Sequence, residues 1–106
     1  MSGGFWNYQN RCLNEMADEL RTAIAKARTG VEYYGHYSEE FVAEMSKLHD
    51  EIRTLNAKMH RVDWVLSGDD GEGNFSERLN EDLAEIVYDD PKNDVEWLKR
   101  CDNDDY

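Results

Sequence analysis

Between Glu39 and Ser67, apolar side chains stand at Phe41, Met45, Leu48, Ile52, Leu55, Met59, Val62 and Leu66. Their spacings alternate between four and three residues without a break. Only a helix gathers such positions into one stripe, since a strand needs a period of two. The residues between them are mostly Glu, Lys, Asp, Arg and Asn, as a solvated face requires. Ser38 is a good N-cap, Glu39 and Glu40 sit at the positive end of the helix dipole, and Tyr37 with Val42 has the spacing of a hydrophobic staple. Gly68 follows as a left-handed C′ residue. At 1.5 Å per residue the helix is roughly 43 Å long, so it needs a partner along its length.

That partner precedes it. Leu13, Met16, Leu20, Ala23/Ile24, Ala27, Val31 and Tyr34 keep the same three–four rhythm. Gly30 marks a bend or an early end, and Gly35 is expected as the stop. The short Gly35–Tyr37 link then implies an antiparallel, coiled-coil-like hairpin. Two helices bury only one stripe each, so a third helix and a second subunit are both expected to complete the core. After the Gly-dense stretch Ser67–Asn74, the spacing of Phe75, Leu79, Leu83 and Ile86 predicts a medium helix. Asn74 and Glu77 give it a capping-box-like start, and Asp89-Asp90-Pro91 ends it. A short helix from about Asp94 to Cys101 carries Val95 and Leu98 on one side, with Trp97 beside them or exposed. The expected fold is therefore all-α and one domain over 1–106. It comprises helix 1 and the tip (1–37), the long helix (38–67), a Gly/Asp hinge (68–74), acidic helices (75–101) and a tail (102–106).

Charge divides the chain at that hinge. Of 24 Asp+Glu and 12 Lys+Arg (net charge −12), residues 1–65 hold 10 acidic and 8 basic, whereas residues 66–106 hold 14 and 4. Such a field repels nucleic acid phosphates and steers toward basic proteins. No segment approaches the roughly 18 apolar residues of a membrane span, and Met1–Asn10 lacks a signal peptide's basic and apolar regions. Cys12 and Cys101 are too few and too distant for a disulfide scaffold, so a cytoplasmic setting is expected.

The hinge, Asp63-Trp64-Val65-Leu66-Ser67-Gly68-Asp69-Asp70-Gly71-Glu72, resembles a family of small phage and prophage proteins of uncharacterised activity. These carry an aromatic residue, then Ser-Gly-Asp-Asp-Gly-Glu, a downstream Phe and an acidic amphipathic helix. In them the motif follows a long helix preceded by a Tyr-Tyr stretch, here Tyr33 to Tyr37. The resemblance covers about Tyr33 to Leu83 and implies a bacteriophage or mobile-element origin rather than a reaction.

Catalytic and metal chemistry find little purchase. An EF-hand register with Gly71 or Gly73 at its sixth position puts Leu66 or Gly68 first, so both fail. His49 has no second histidine four residues on, and His49 and His60 lie roughly 16 Å apart along the helix, as solvated flank positions. Cys12 is expected to be buried beside Leu13. Glu15-x-x-Asp18 and Asp82-x-x-Glu85 are spaced like the magnesium-holding pairs of all-helical nucleoside triphosphate pyrophosphohydrolases, but their order and identities differ. Neither a metal nor a cofactor is expected.

Two surfaces are the candidates for partner binding. One is acidic: Asp69, Asp70, Glu72, Glu77, Glu81, Asp82 and Glu85. The other is the aromatic tip at Tyr33, Tyr34 and Tyr37 with His36, residue types favoured at interface hot spots. Phe5, Trp6, Tyr8 and Trp64 are read as a plug at the opposite end of the bundle. The functional expectation is a non-enzymatic phage-type protein in the host cytoplasm. It would be an anti-defence inhibitor of a basic, nucleic-acid-handling host protein, and a homo-oligomer through the Phe41-to-Leu66 stripe. A helical oligomerisation or assembly factor is the alternative, and a magnesium-dependent nucleotide pyrophosphohydrolase comes third.

Overall fold

The computed structural model describes residues 12–103, apart from the side chains at 32, 33, 102 and 103. Expectations for Phe5, Trp6, Tyr8 and the Tyr33 side chain lie outside the described residues. Among those described there are four α-helices and no strand: α1 (Cys12–Thr29), α2 (Glu39–Leu66), α3 (Phe75–Ala84) and α4 (Asp94–Asn103). The fold is all-α. Short 3-10 turns at Glu32–His36, Glu72–Asn74 and Pro91–Asn93 lead into α2, α3 and α4. No helix among the described residues is long and apolar enough to cross a membrane.

The chain forms two compact units. Unit 1 combines the described part of Met1–Glu15 with Glu51–Val87, and unit 2 combines Met16–Asp50 with the described part of Tyr88–Tyr106. The divide falls within α1 and α2, both of which run from one unit into the other.

Local sequence sets the ends of α2. The Ser38 hydroxyl accepts from the Phe41 N–H at 3.1 Å, an N-cap bond that satisfies one orphan donor of the first turn. The ring of Tyr37 packs on Phe41, with centroids 5.0 Å apart. At the far end Gly68 takes φ +81°. Its N–H donates to Val65 O at 3.1 Å, and that of Asp69 donates to Trp64 O at 2.9 Å. This pair of bonds defines a Schellman stop.

The same motif corrects the end of α1. The stop is Gly30 at φ +72°, not Gly35. The Gly30 N–H donates to Ala27 O at 3.3 Å and the Val31 N–H to Lys26 O at 2.9 Å. Once the chain reverses there, Gly35 belongs to the following 3-10 turn. Helix α3 also ends earlier than expected, at Ala84. Asp90 is extended at φ −136°, ψ 112°, as a residue before proline prefers, and the Asp89 N–H leaves helical bonding to donate to Asp50 Oδ1 at 2.9 Å. The expected capping box at α3 is absent, because Asn74 is already helical and makes no side-chain cap bond.

Both long helices are rolled by one residue from the apolar stripe. In unit 2 the buried residues of α1 are Ala17, Arg21, Ile24 and Ala25, while Met16 is half exposed. Of the expected stripe Ile24 is fully buried, but Ala17, Arg21 and Ala25 are buried with it in place of Met16, Leu20 and Ala27. Phe41 and Leu48 on α2 are likewise half exposed, and His49 retains 1% of its surface. Unit 1 repeats the pattern: Leu55 and Leu66 are half exposed, whereas Asp63 retains 1%. One residue is about 100° around a helix. His49 is therefore not the solvated flank position expected of it, whereas His60 is exposed. Cys12, expected inside, is also exposed.

Candidate partner-binding surface

In unit 2 the inward face of α1 carries charge. Arg21 and Arg28 stand seven residues apart on α1, and the 86–94 segment brings Asp89 and Asp94 against them. Arg21 donates from Nη1 to Asp94 Oδ1 at 2.8 Å and from Nη2 to the Asp90 carbonyl at 3.1 Å; its Nε lies 3.2 Å from Asp89 Oδ1. Arg28 donates to both Asp89 oxygens and to Asp94 Oδ1. Ser46 of α2 adds a bond to Asp89 Oδ2 at 2.6 Å. The Asp89 side chain has no exposed surface. Burial disfavours its charge, but hydrogen bonds from Arg28 and Ser46, with the fields of Arg28 and Arg21, outweigh that and hold its carboxyl below the usual range. Burial also opposes the charge on Arg28, and Asp89 and Asp94 more than compensate.

This centre extends along α2. Asp50 Oδ1, which accepts the Asp89 N–H, also lies 2.9 Å from His49 Nδ1. On the other side Trp97 donates from Nε1 to Thr22 Oγ1 at 2.9 Å, with the Arg21 guanidinium 5.6 Å from its ring centroid. Burying Arg21, Asp89 and Asp94 demands this full set of partners, since an unpaired charge there would be severely destabilising. Sequence reading missed all three. Two signals pointed to them: the heptad spacing of Arg21 and Arg28, and the acids flanking Pro91 within helical reach of each other.

Unit 1 has a smaller counterpart. Arg61 donates from Nε and Nη2 to Asp82, and its Nη1 lies 3.6 Å from Asp70. The hydrogen bond from Arg61, opposed by burial and reinforced by its charge, holds the Asp82 carboxyl below the ordinary range. Arg61 also lies 4.7 Å from the Trp64 ring centroid. The acidic candidates thus fall into two groups. Asp70 and Asp82 are half-buried against Arg61, whereas Asp69, Glu72, Glu77, Glu81 and Glu85 are exposed. Glu77 and Glu81 of α3 and Glu85 at its C-cap follow one another at intervals of four, with about 6 Å between neighbours along the axis. The exposed Lys and Arg side chains among the described residues of this unit are Lys58 and Arg78. Among the described residues no group of three or more His, Cys, Asp or Glu side chains is arranged to hold a metal ion.

The tip lies in unit 2. Tyr37 meets His36 at 4.2 Å and Tyr34 edge-on at 6.5 Å, and Lys26 stands 5.3 Å from the Tyr34 ring centroid.

Depressed carboxyl values give stability a defined pH dependence. A carboxyl whose folded value is lowered contributes stability that is complete above its unfolded value, about 4, and is lost as the pH falls through the folded value. The stability gap between the wild-type chain and Asp82→Asn is therefore expected to be constant from pH 7 to 5 and to close below about pH 4. Urea unfolding across that range measures it. A gap that widens on acidification would contradict the assignment.

Comparison with protein families, with curated proteins and with solved structures finds no match to this chain.

Proposed function

We propose that this chain is a non-enzymatic interaction protein of phage type that inhibits a basic, nucleic-acid-handling host protein in the host cytoplasm. The observation that carries this reading is the division among its carboxylates. Arg61 neutralises Asp70 and Asp82, and Arg21 with Arg28 neutralises Asp89 and Asp94, while Glu77, Glu81 and Glu85 remain as an exposed row along α3 and its C-cap. Carboxylates fixed at regular intervals can occupy a groove of Lys and Arg side chains that otherwise holds phosphates. The phage setting rests on the resemblance carried by Ser67–Glu72.

The test is capture of a partner from bacterial lysate by the tagged chain at low and high salt. Reversal of Glu77, Glu81 and Glu85 to lysine is expected to weaken capture about tenfold or more, and added salt to weaken it further. Capture indifferent to both would remove the reading.

A second reading, that the helices mediate homo-oligomerisation or assembly, is favoured by the half-exposed Phe41, Leu48, Leu55 and Leu66. Under it, Leu55→Lys abolishes oligomers and activity together, and the glutamate reversals leave both intact.

A further inference from the structure

In unit 2 the connection between α1 and α2 frames a cavity of about 590 Å³. That lies within the range of sites that bury most of a small ligand, roughly 300–1,000 Å³. Ala27 and Ala43 contribute almost no side-chain bulk to its lining, and Tyr37 and Val42 give it apolar walls. Beside it the Tyr37 ring continues onto Phe41, which is half exposed.

Charge decides what could enter. The cation in the lining, Arg28, already donates to Asp89 and Asp94, which balance its charge. Glu39 lines the cavity and Glu40 is exposed beside it on the first turn of α2, while Glu44 pairs with Lys47 at 3.6 Å. A phosphate or nucleotide would meet Glu39 and Glu40 there, beside a cation that Asp89 and Asp94 already engage. A second copy of this chain would bring a further net charge of −12 to an acidic rim.

We propose that this cavity docks an aromatic side chain of a partner protein, flanked by Lys or Arg residues. The ring enters between Ala27 and Ala43 against Tyr37 and Val42, and the flanking cations meet Glu39 and Glu40. The proposal rests on the reading of the chain as an acidic binder of a basic protein and supplies that binder with an anchor pocket. A charged rim around a desolvated aromatic anchor is the usual anatomy of a tight interface.

The experiment uses the full chain and a fluorescein-labelled pool of peptides with Lys and Arg at random around one central Trp, followed by anisotropy. Replacing the Trp by Ala throughout the pool is expected to weaken binding about tenfold or more. Ala43→Trp, at an exposed helical position, fills the cavity and is expected to abolish binding while the helical circular dichroism is retained. Glu39→Lys with Glu40→Lys, which leaves the cavity open, is expected to switch the preference to peptides flanked by Asp and Glu. Peptide binding is read apart from partner capture, so failure here is distinct from failure of the acidic-row reading. Equal binding of the Trp and Ala pools would overturn the proposal, as would undiminished binding to Ala43→Trp. So would sedimentation showing that Ala43→Trp turns a dimer into a monomer, which would assign the cavity to a second copy.

Discussion

Asp89→Ala is expected to destabilise the chain by about 3–5 kcal/mol, the range found when one partner of a buried ion pair is removed. The Asp89 side chain has no exposed surface and receives bonds from Arg28 and Ser46, with Arg21 Nε at 3.2 Å. Its removal leaves two guanidiniums on one buried carboxylate, Asp94. Small domains have about 5–15 kcal/mol of total stability, and the fully buried apolar residues described here are only Ala17, Ile24 and Ala25. The variant should therefore be largely unfolded at moderate urea concentrations where the wild type is intact, and circular dichroism of the full chain reads this directly. Asp90→Ala is the control. Its side chain accepts from the Lys92 N–H at 3.0 Å at the surface, so its loss is expected to cost about 1 kcal/mol. Equal effects of the two substitutions would mean that the cluster does not hold unit 2 together.

The second large effect concerns which face of each helix is inside. Ile24→Ala is expected to cost about 2–5 kcal/mol, because Ile24 is fully buried and its truncation leaves a cavity. Leu48→Ala removes the same amount of hydrocarbon from the apolar stripe of α2. Leu48 is half exposed, and its truncation is expected to cost less than about 1.5 kcal/mol. If the stripe were instead the seam of the folded chain, the two substitutions would cost alike. Urea midpoints that depend on protein concentration, with a large effect of Leu48→Ala, would place the stripe in a subunit contact.

That contrast shows how far the residues alone could be read. The existence, order and type of all four helices followed from apolar spacing, and the two ends of α2 followed from Ser38 and Gly68. Such signals are local: each concerns side chains within a turn of one another along the chain. The helix faces were not legible, because an apolar stripe records only the average preference of a helix. The inward face includes four charged residues, Arg21, Arg28, Asp89 and Asp94, up to 73 residues apart, whose pairing no local pattern records. The same pairing divided the acidic candidates. Sequence placed Asp82 with Glu77, Glu81 and Glu85 on one helix, but only the position of Arg61 decides which of them face outward.

The acidic row is taken to stand in for phosphates, and competition tests this most directly. A protein captured by the chain is loaded with a labelled nucleic acid duplex, and the chain is titrated against the complex at fixed salt. The duplex is expected to be displaced, with about tenfold or more protein needed for the Glu77, Glu81 and Glu85 reversals. A stable ternary complex of chain, partner and duplex, with the duplex undisplaced at saturation, would contradict it.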